Sequence, residues 1–148
     1  MHIKFNLTKK ILAWYDNNKR TLPWRVGKNS PNLLYYRVLS EFMLQQTQVK
    51  TVIPYFEKFT QKFCTIDSLS KASESKILKL WEGLGYYRRA RNLLATSKII
   101  VKKYNSKLPR EVDEIKTLPG IGDYTSNVLA ALIYNAPTLA LDGNVKRV

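Results

Sequence analysis

The stretch KTLPGIGDYTSNVLAA, Lys116 to Ala131, governs the reading of the whole chain. Leu-Pro-Gly-Ile-Gly interrupts a polar segment and leads directly into an apolar run, the pattern of a hairpin that enters a helix. Gly120 and Gly122 permit positive φ and carry no Cβ, so backbone N–H groups can face an anion at the helix start. Pro119 pre-sets the turn, Asp123 or Thr125 is placed to cap the helix, and Val128, Leu129, Leu132 and Ile133 form its expected buried face. Two meanings fit this stretch alone: a seat for phosphate, or an ordinary glycine-containing turn between helices.

Just before it, Glu111 to Leu118 reads as a short helix after a loop at Lys107 to Arg110. Further upstream lies EGLGYYRRARNL, in which Gly83 and Gly85 break one helix and another begins near Tyr86. Its apolar stripe is Leu93, Leu94, Ser97, Ile100, Val101 and Tyr104. Arg88, Arg89 and Arg91 in its first turns make either a DNA-facing edge or a solvated basic face. Downstream, TLALDGNVKRV delivers Asp142 to the start of a last helix, where it could be simply an N-cap. A helix barely begun at Val148 leads one to expect a fragment, a split gene or a truncated chain.

The N-terminal half is helical as well. Leu7, Ile11, Leu12 and Tyr15 share a helical face from Leu7 to about Asn18, with Asn6 as the expected cap. Lys19 to Asn32 is a loop carrying Arg20, Trp24 and Arg25; the ring could stack on a base or anchor a core. Leu33 to Leu44 is a mostly apolar helix that holds one carboxylate, Glu41, among Val38, Leu39, Phe42, Met43 and Leu44. A carboxyl group in such company departs from the usual solvated helical Glu and suits acid–base chemistry. Gln45 to Gln48 form a polar break whose amides suit base edges, or merely a helix junction, with Thr47 as the expected cap of a helix running to about Phe63 through Pro54. Two short helices follow, at Thr65 to Ala72 and at Ser73 to Trp81. No strand is expected, so the fold class is all-α.

Composition narrows the partners. The 148 residues hold 45% apolar residues and 17 aromatics, enough for one core, and 25 Lys and Arg against 11 acidic residues give a formal charge of +14. Such an excess suits a polyanion; a membrane surface has only this net charge in its favour. No apolar run reaches membrane-spanning length and no secretory leader is apparent, so a cytoplasmic protein is expected, and a nucleoid-associated one if it is bacterial. Cys64 is the only cysteine and His2 the only histidine. That excludes an intrachain disulfide, a zinc finger, a zinc deaminase site, a cysteine-held iron–sulfur cluster within this chain and a His-centred triad.

Five motifs now stand in order: LPWR at Leu22 to Arg25, SEFMLQQTQV at Ser40 to Val49, GLGYYRRARNL at Gly83 to Leu93, LPGIGDYTS at Leu118 to Ser126, and LDGNVKRV at Leu141 to Val148. Together they resemble the adenine DNA glycosylases of the MutY type, in the helix-hairpin-helix superfamily of base-excision repair enzymes. The resemblance implies a six-helix barrel holding the hairpin, and removal of adenine mispaired with 8-oxoguanine or guanine in double-stranded DNA, by a protein acting as a monomer. It divides the chain into an N-terminal helix (1–20), a barrel (21–136) and the start of a following region (137–148). It further implies a 4Fe-4S cluster in a four-cysteine domain of longer members, against which helix one would pack; here Leu7, Ile11, Leu12 and Trp14 would then be exposed. The chain departs from the pattern at Val38, where many members have Trp.

Breaking the N-glycosidic bond passes through a cationic sugar, so the site needs a proton donor at the leaving base and a negative charge near the sugar. Glu41, in apolar surroundings, should hold a proton, while Asp142 at a polar helix start should stay ionised. By resemblance, Glu41 protonates the purine and helps activate water, Asp142 stabilises the oxocarbenium ion, Tyr124 shares the site and Asn144 supports the pair. The same resemblance makes Gln46 and Tyr86 wedges around 8-oxoguanine. It places Arg20, Leu22, Trp24, Arg25 and Val49 around adenine, and gives Gly120, Gly122, Arg88 and Thr125 to DNA binding. A glycosylase/lyase resembling endonuclease III is the catalytic rival, but its relatives carry Lys where this chain has Tyr124, and Schiff-base chemistry needs that amine. The non-enzymatic rival is an idle helix-hairpin-helix DNA-binding fragment.

Overall fold

A computed structural model describes the backbone of residues 2–147 and the side chains of residues 6–147. Val148, the last residue of the fifth motif, and the side chain of His2 lie outside the described residues. Among the described residues there are nine helices and no strand: α1 (His2–Asn18), α2 (Leu33–Leu44), α3 (Val49–Lys62), α4 (Ile66–Ser70), α5 (Glu74–Trp81), α6 (Arg88–Tyr104), α7 (Val112–Lys116), α8 (Asp123–Tyr134) and α9 (Gly143–Arg147). The chain is all-α.

The long helix α6 packs against α2, α4 and α5, and α2 packs in turn against α3 and α8. Their shared interior is aromatic. Phe42, Phe56, Phe59 and Trp81 are fully buried, with Phe59 and Trp81 edge to face at 5.8 Å between centroids, a favoured ring geometry. Trp24 belongs here too: it is 3% exposed and meets Phe56 at 5.3 Å. Of the two readings of Trp24 the core anchor is the one realised, and Leu22 is buried in the same cluster. By contrast Leu7, Ile11, Leu12 and Trp14 on α1 stand exposed.

Several caps differ from expectation. Asn6 lies inside α1, which starts at His2. Thr47 does not cap α3; Gln48 holds that position, and the Thr47 hydroxyl donates instead to the Gln45 carbonyl at 3.5 Å. Thr65 and Ser68 form a reciprocal capping box at α4, and Ser73 caps α5 by accepting from the Lys76 N–H at 3.3 Å, as such hydroxyls do.

Helices α7 and α8 pack together around the hairpin. Gly120 has φ +78, and a Cβ there would come within 2.8 Å of Phe42 Cε1, so glycine is required both by conformation and by space. Gly122 is different: its φ is −98, in extended backbone, and a Cβ placed there would have nothing within 4 Å. Positive φ is therefore used at one of the two glycines. Gly122, and not Asp123 or Thr125, is the N-cap of α8; Asp123 pairs with Lys116 across the hairpin. The buried face of α8 is Thr125, Ser126, Leu129 and Ala130, with Val128, Leu132 and Ile133 only half-buried.

Candidate active site

Glu41 lies in the last turn of α2, and an apolar helix carries it there because its neighbours Val38, Leu39, Phe42 and Met43 are wholly buried. Asp142 arrives from the far end of the sequence. Past α8 the chain turns at Asn135 (φ 54), and the Ala136 N–H returns to the Ala130 carbonyl at 3.2 Å, a left-handed helix end. The Thr138 hydroxyl then donates to the Asn127 carbonyl at 2.9 Å. The segment thus runs back along α8 toward its N-terminus, where Tyr124 sits.

These paths meet in a cavity of 340 Å³ lined by Glu41, Leu44, Gln45, Gln46, Tyr124, Thr125 and Asp142. Burial pushes the Glu41 carboxyl up to about 7, with the Arg37 charge opposing that rise. Burial also raises the Tyr124 hydroxyl, and the charges of Glu41 and Asp142 push it in the same direction. Asp142 serves as a cap as well: its Oδ1 accepts from the Val145 N–H at 2.7 Å. Capping and lining the cavity are compatible, because a carboxylate has a second oxygen to offer.

A second cleft, also 340 Å³, adjoins the first through Gln45 and Gln46 and is lined on its other side by Tyr86, Tyr87, Arg88, Arg89 and Asn92. Gln46 and Tyr86 both have left-handed backbone, φ 57 and φ 46, rare for residues with side chains. Tyr86 is 65% exposed. The hairpin abuts this region: Gln45 Nε2 donates to the Gly120 carbonyl at 3.2 Å, and the Thr96 hydroxyl to the Pro119 carbonyl at 2.9 Å. With Gly122 supplying no side-chain acceptor, the first-turn N–H groups of α8 are left for an outside anion.

Not every expected residue joins the cavity. Arg20, Leu22, Trp24, Arg25 and Val49 are absent from its wall; Leu22 and Trp24 are core, and Arg25 donates to the Arg20 carbonyl at 2.8 Å. Asn144 sits exposed on α9, where it accepts from Arg147. Thr125 is buried and lines the cavity. The arginine run also divides: Arg88 is exposed in the second cleft, Arg91 pairs with Glu74 at 3.0 Å, and Arg89 is buried. Sequence reading passed over Arg37, although its place one turn before Glu41 on α2 was a usable signal.

Nothing among the described residues accommodates a 4Fe-4S cluster. Cys64 is a single exposed thiol, and the described residues contain no group of three or more His, Cys, Asp or Glu able to hold a metal.

The chain is an all-helical domain with a helix-hairpin-helix beside two adjoining cavities. The profile of the HhH-GPD superfamily of base excision DNA repair proteins matches residues 39–148, and the chain belongs to that superfamily. Within it, the chain is 49% identical over 139 residues to the adenine DNA glycosylase of Buchnera aphidicola subsp. Baizongia pistaciae, covering 93% of this chain and 38% of that protein. It is 41% identical over 143 residues to the adenine DNA glycosylase of Homo sapiens, covering 93% and 26% respectively. The chain therefore spans well under half the length of these relatives. Among solved structures it resembles a thermostable thymine-DNA glycosylase (TM-score 0.80, 25% identity, 93% of this chain and 62% of that one). A trapped endonuclease III–DNA covalent intermediate shares the fold at TM-score 0.77 and 22% identity, over 99% of this chain and 65% of that one. No helix among the described residues is long and apolar enough to cross a membrane.

Proposed function

We propose that this chain carries the base-excising site of a monofunctional adenine DNA glycosylase acting on adenine opposite 8-oxoguanine or guanine in duplex DNA. The observation that carries the reading is the cavity shared by Glu41, Asp142 and Tyr124. A carboxyl group titrating near 7 still holds a proton close to neutrality and can deliver it to the departing purine. As the bond to the sugar breaks, positive charge develops on the ring, and the Asp142 carboxylate offers the opposite charge in the same cavity. Glu41, once deprotonated, can accept a proton from the incoming water. Tyr124, its hydroxyl raised, stays neutral and donates a hydrogen bond without supplying an amine.

Duplex DNA suits the +14 charge, and the Gly120 hairpin and Arg88 supply phosphate contacts in this reading. The protein works as a monomer in the cytoplasm or on the nucleoid, and any 4Fe-4S cluster would need cysteines other than Cys64. Incubating the purified chain with a duplex containing adenine opposite 8-oxoguanine, and detecting free adenine, tests the activity. Release of adenine with no borohydride-trapped adduct on abasic DNA is expected. A strong trapped adduct favours a lyase, and binding without release favours an idle DNA-binding domain.

A further inference from the structure

Arg89 is 6% exposed and has no carboxylate partner among the described residues; its two terminal nitrogens are met by backbone carbonyls. Nη1 donates to the carbonyls of Met43 at 2.6 Å, Gln45 at 2.7 Å and Phe42 at 3.3 Å. Nη2 donates to those of Gly85 at 3.1 Å and Leu84 at 3.2 Å. The guanidinium also lies over the rings of Trp81 (5.2 Å) and Tyr86 (5.6 Å). Burying a cation without a counter-ion is expensive. Capping the end of α2 would explain the bonds to Phe42, Met43 and the C-cap residue Gln45, but not those to Leu84 and Gly85 on the loop before α6.

The placement of the Gln45 and Gly85 carbonyls supplies the reason. Gln45 immediately precedes Gln46, and Gly85 immediately precedes Tyr86, the two residues with left-handed backbone that face one cleft. A carbonyl oxygen shares its peptide plane with the next residue's nitrogen. Fixing the oxygens of Gln45 and Gly85 therefore fixes the planes from which Gln46 and Tyr86 project. Trp81 Nε1 donates to the same Gly85 oxygen at 2.9 Å, and so supports one of the two planes from the core.

We infer that Arg89 is a positioning residue, one buried guanidinium that holds Gln46 and Tyr86 in register as a paired wedge against the DNA stack. The inference rests on the reading of this chain as a base-flipping glycosylase, in which side chains must enter the space left by an extruded base. Arg88 and Arg91, its neighbours in sequence, cannot substitute, since one is solvent-facing and the other is bound to Glu74.

The test uses a duplex with a fluorescent aminopurine at the target position, whose emission rises when the base leaves the stack; binding is followed separately by anisotropy. The wild-type chain is expected to give the rise at saturation, and Arg89→Lys to lose about tenfold of it while still binding and remaining helical by circular dichroism. In a chain already carrying Gln46→Ala and Tyr86→Ala, Arg89→Lys should cause no further loss, the non-additivity of groups acting through one another. Gly85→Ala is the second variant, because it disturbs the same peptide plane at φ +77 with nothing within 4 Å to clash, and it should lose the rise too. If Arg89→Lys does not fold, Gly85→Ala decides. Full emission from either folded variant, or losses that add to those of the wedge-free chain, overturns the inference. A wild-type chain that gives no rise but releases adenine overturns it and leaves the glycosylase reading standing; a rise without release sinks the activity alone.

Discussion

Glu41 on α2 and Asp142 at the start of α9 share the wall of one cavity, although about two thirds of the 148-residue chain separates them in sequence. The link is α8, whose N-terminus presents Tyr124 and along whose side the Thr138 hydroxyl bond guides the chain back. The carboxyl groups differ in setting, one beside a buried helix face and the other engaged as a cap.

The pH dependence of base release follows from Glu41. In the proposed reaction its protonated form is the proton donor, and that form is lost as pH rises through about 7. Single-turnover release should be flat at the acid end and fall about tenfold per pH unit above that point. Arg37 opposes the rise in the Glu41 value, so Arg37→Met should move the alkaline limb to higher pH.

The same carboxyl group costs stability. A native value raised above the unfolded one means that, between 4.5 and about 7, the folded chain holds a proton the unfolded chain has lost, and stability falls as pH rises. Glu41→Gln should therefore be the more stable protein at pH above 7, by about 2 kcal/mol given its partly open position, with the gain vanishing near the ordinary carboxyl range. Denaturant unfolding at several pH values checks this.

Asp142→Asn separates the two duties of that residue. Asparagine caps helices about as well as aspartate, so α9 and overall stability should be preserved within about 0.5 kcal/mol. Base release should drop by about a hundredfold or more, because the charge proposed to stabilise the cationic sugar is gone. Unchanged release would reduce Asp142 to a cap.

The two hairpin glycines should respond differently. Gly120→Ala meets Phe42 and Asn92 at φ +78 and should cost about 2 kcal/mol or more of stability. Gly122→Ala has open space and should cost about 1 kcal/mol or less, while weakening duplex binding at the α8 N-terminus. Thermal unfolding and anisotropy on the same variants separate the effects.

The hairpin and Glu41 were legible in the sequence because their signals are local: Pro-Gly punctuation in one case, a carboxylate inside an apolar period in the other. Asp142 was legible only as a motif, since nothing in TLALDGN states that the chain doubles back along α8. Trp24, left open between two readings, and Arg89, buried where an exposed residue was expected, show the limit of local patterns for physical reasons. An aromatic ring among basic residues looks the same whether it stacks on a base or on Phe56, and a run of arginines adds to charge whether its members face water or backbone carbonyls. Burial of a polar group is decided by partners distant in sequence, which no local pattern reports.

Everything proposed for the cavity depends on Glu41 supplying the proton for adenine release. The decisive measurement is single-turnover adenine release by Glu41→Gln from a duplex bearing adenine opposite 8-oxoguanine, at saturating protein and with duplex binding followed by anisotropy. Near-complete loss of release with binding retained is the predicted result; release at the wild-type rate by the bound variant would contradict it.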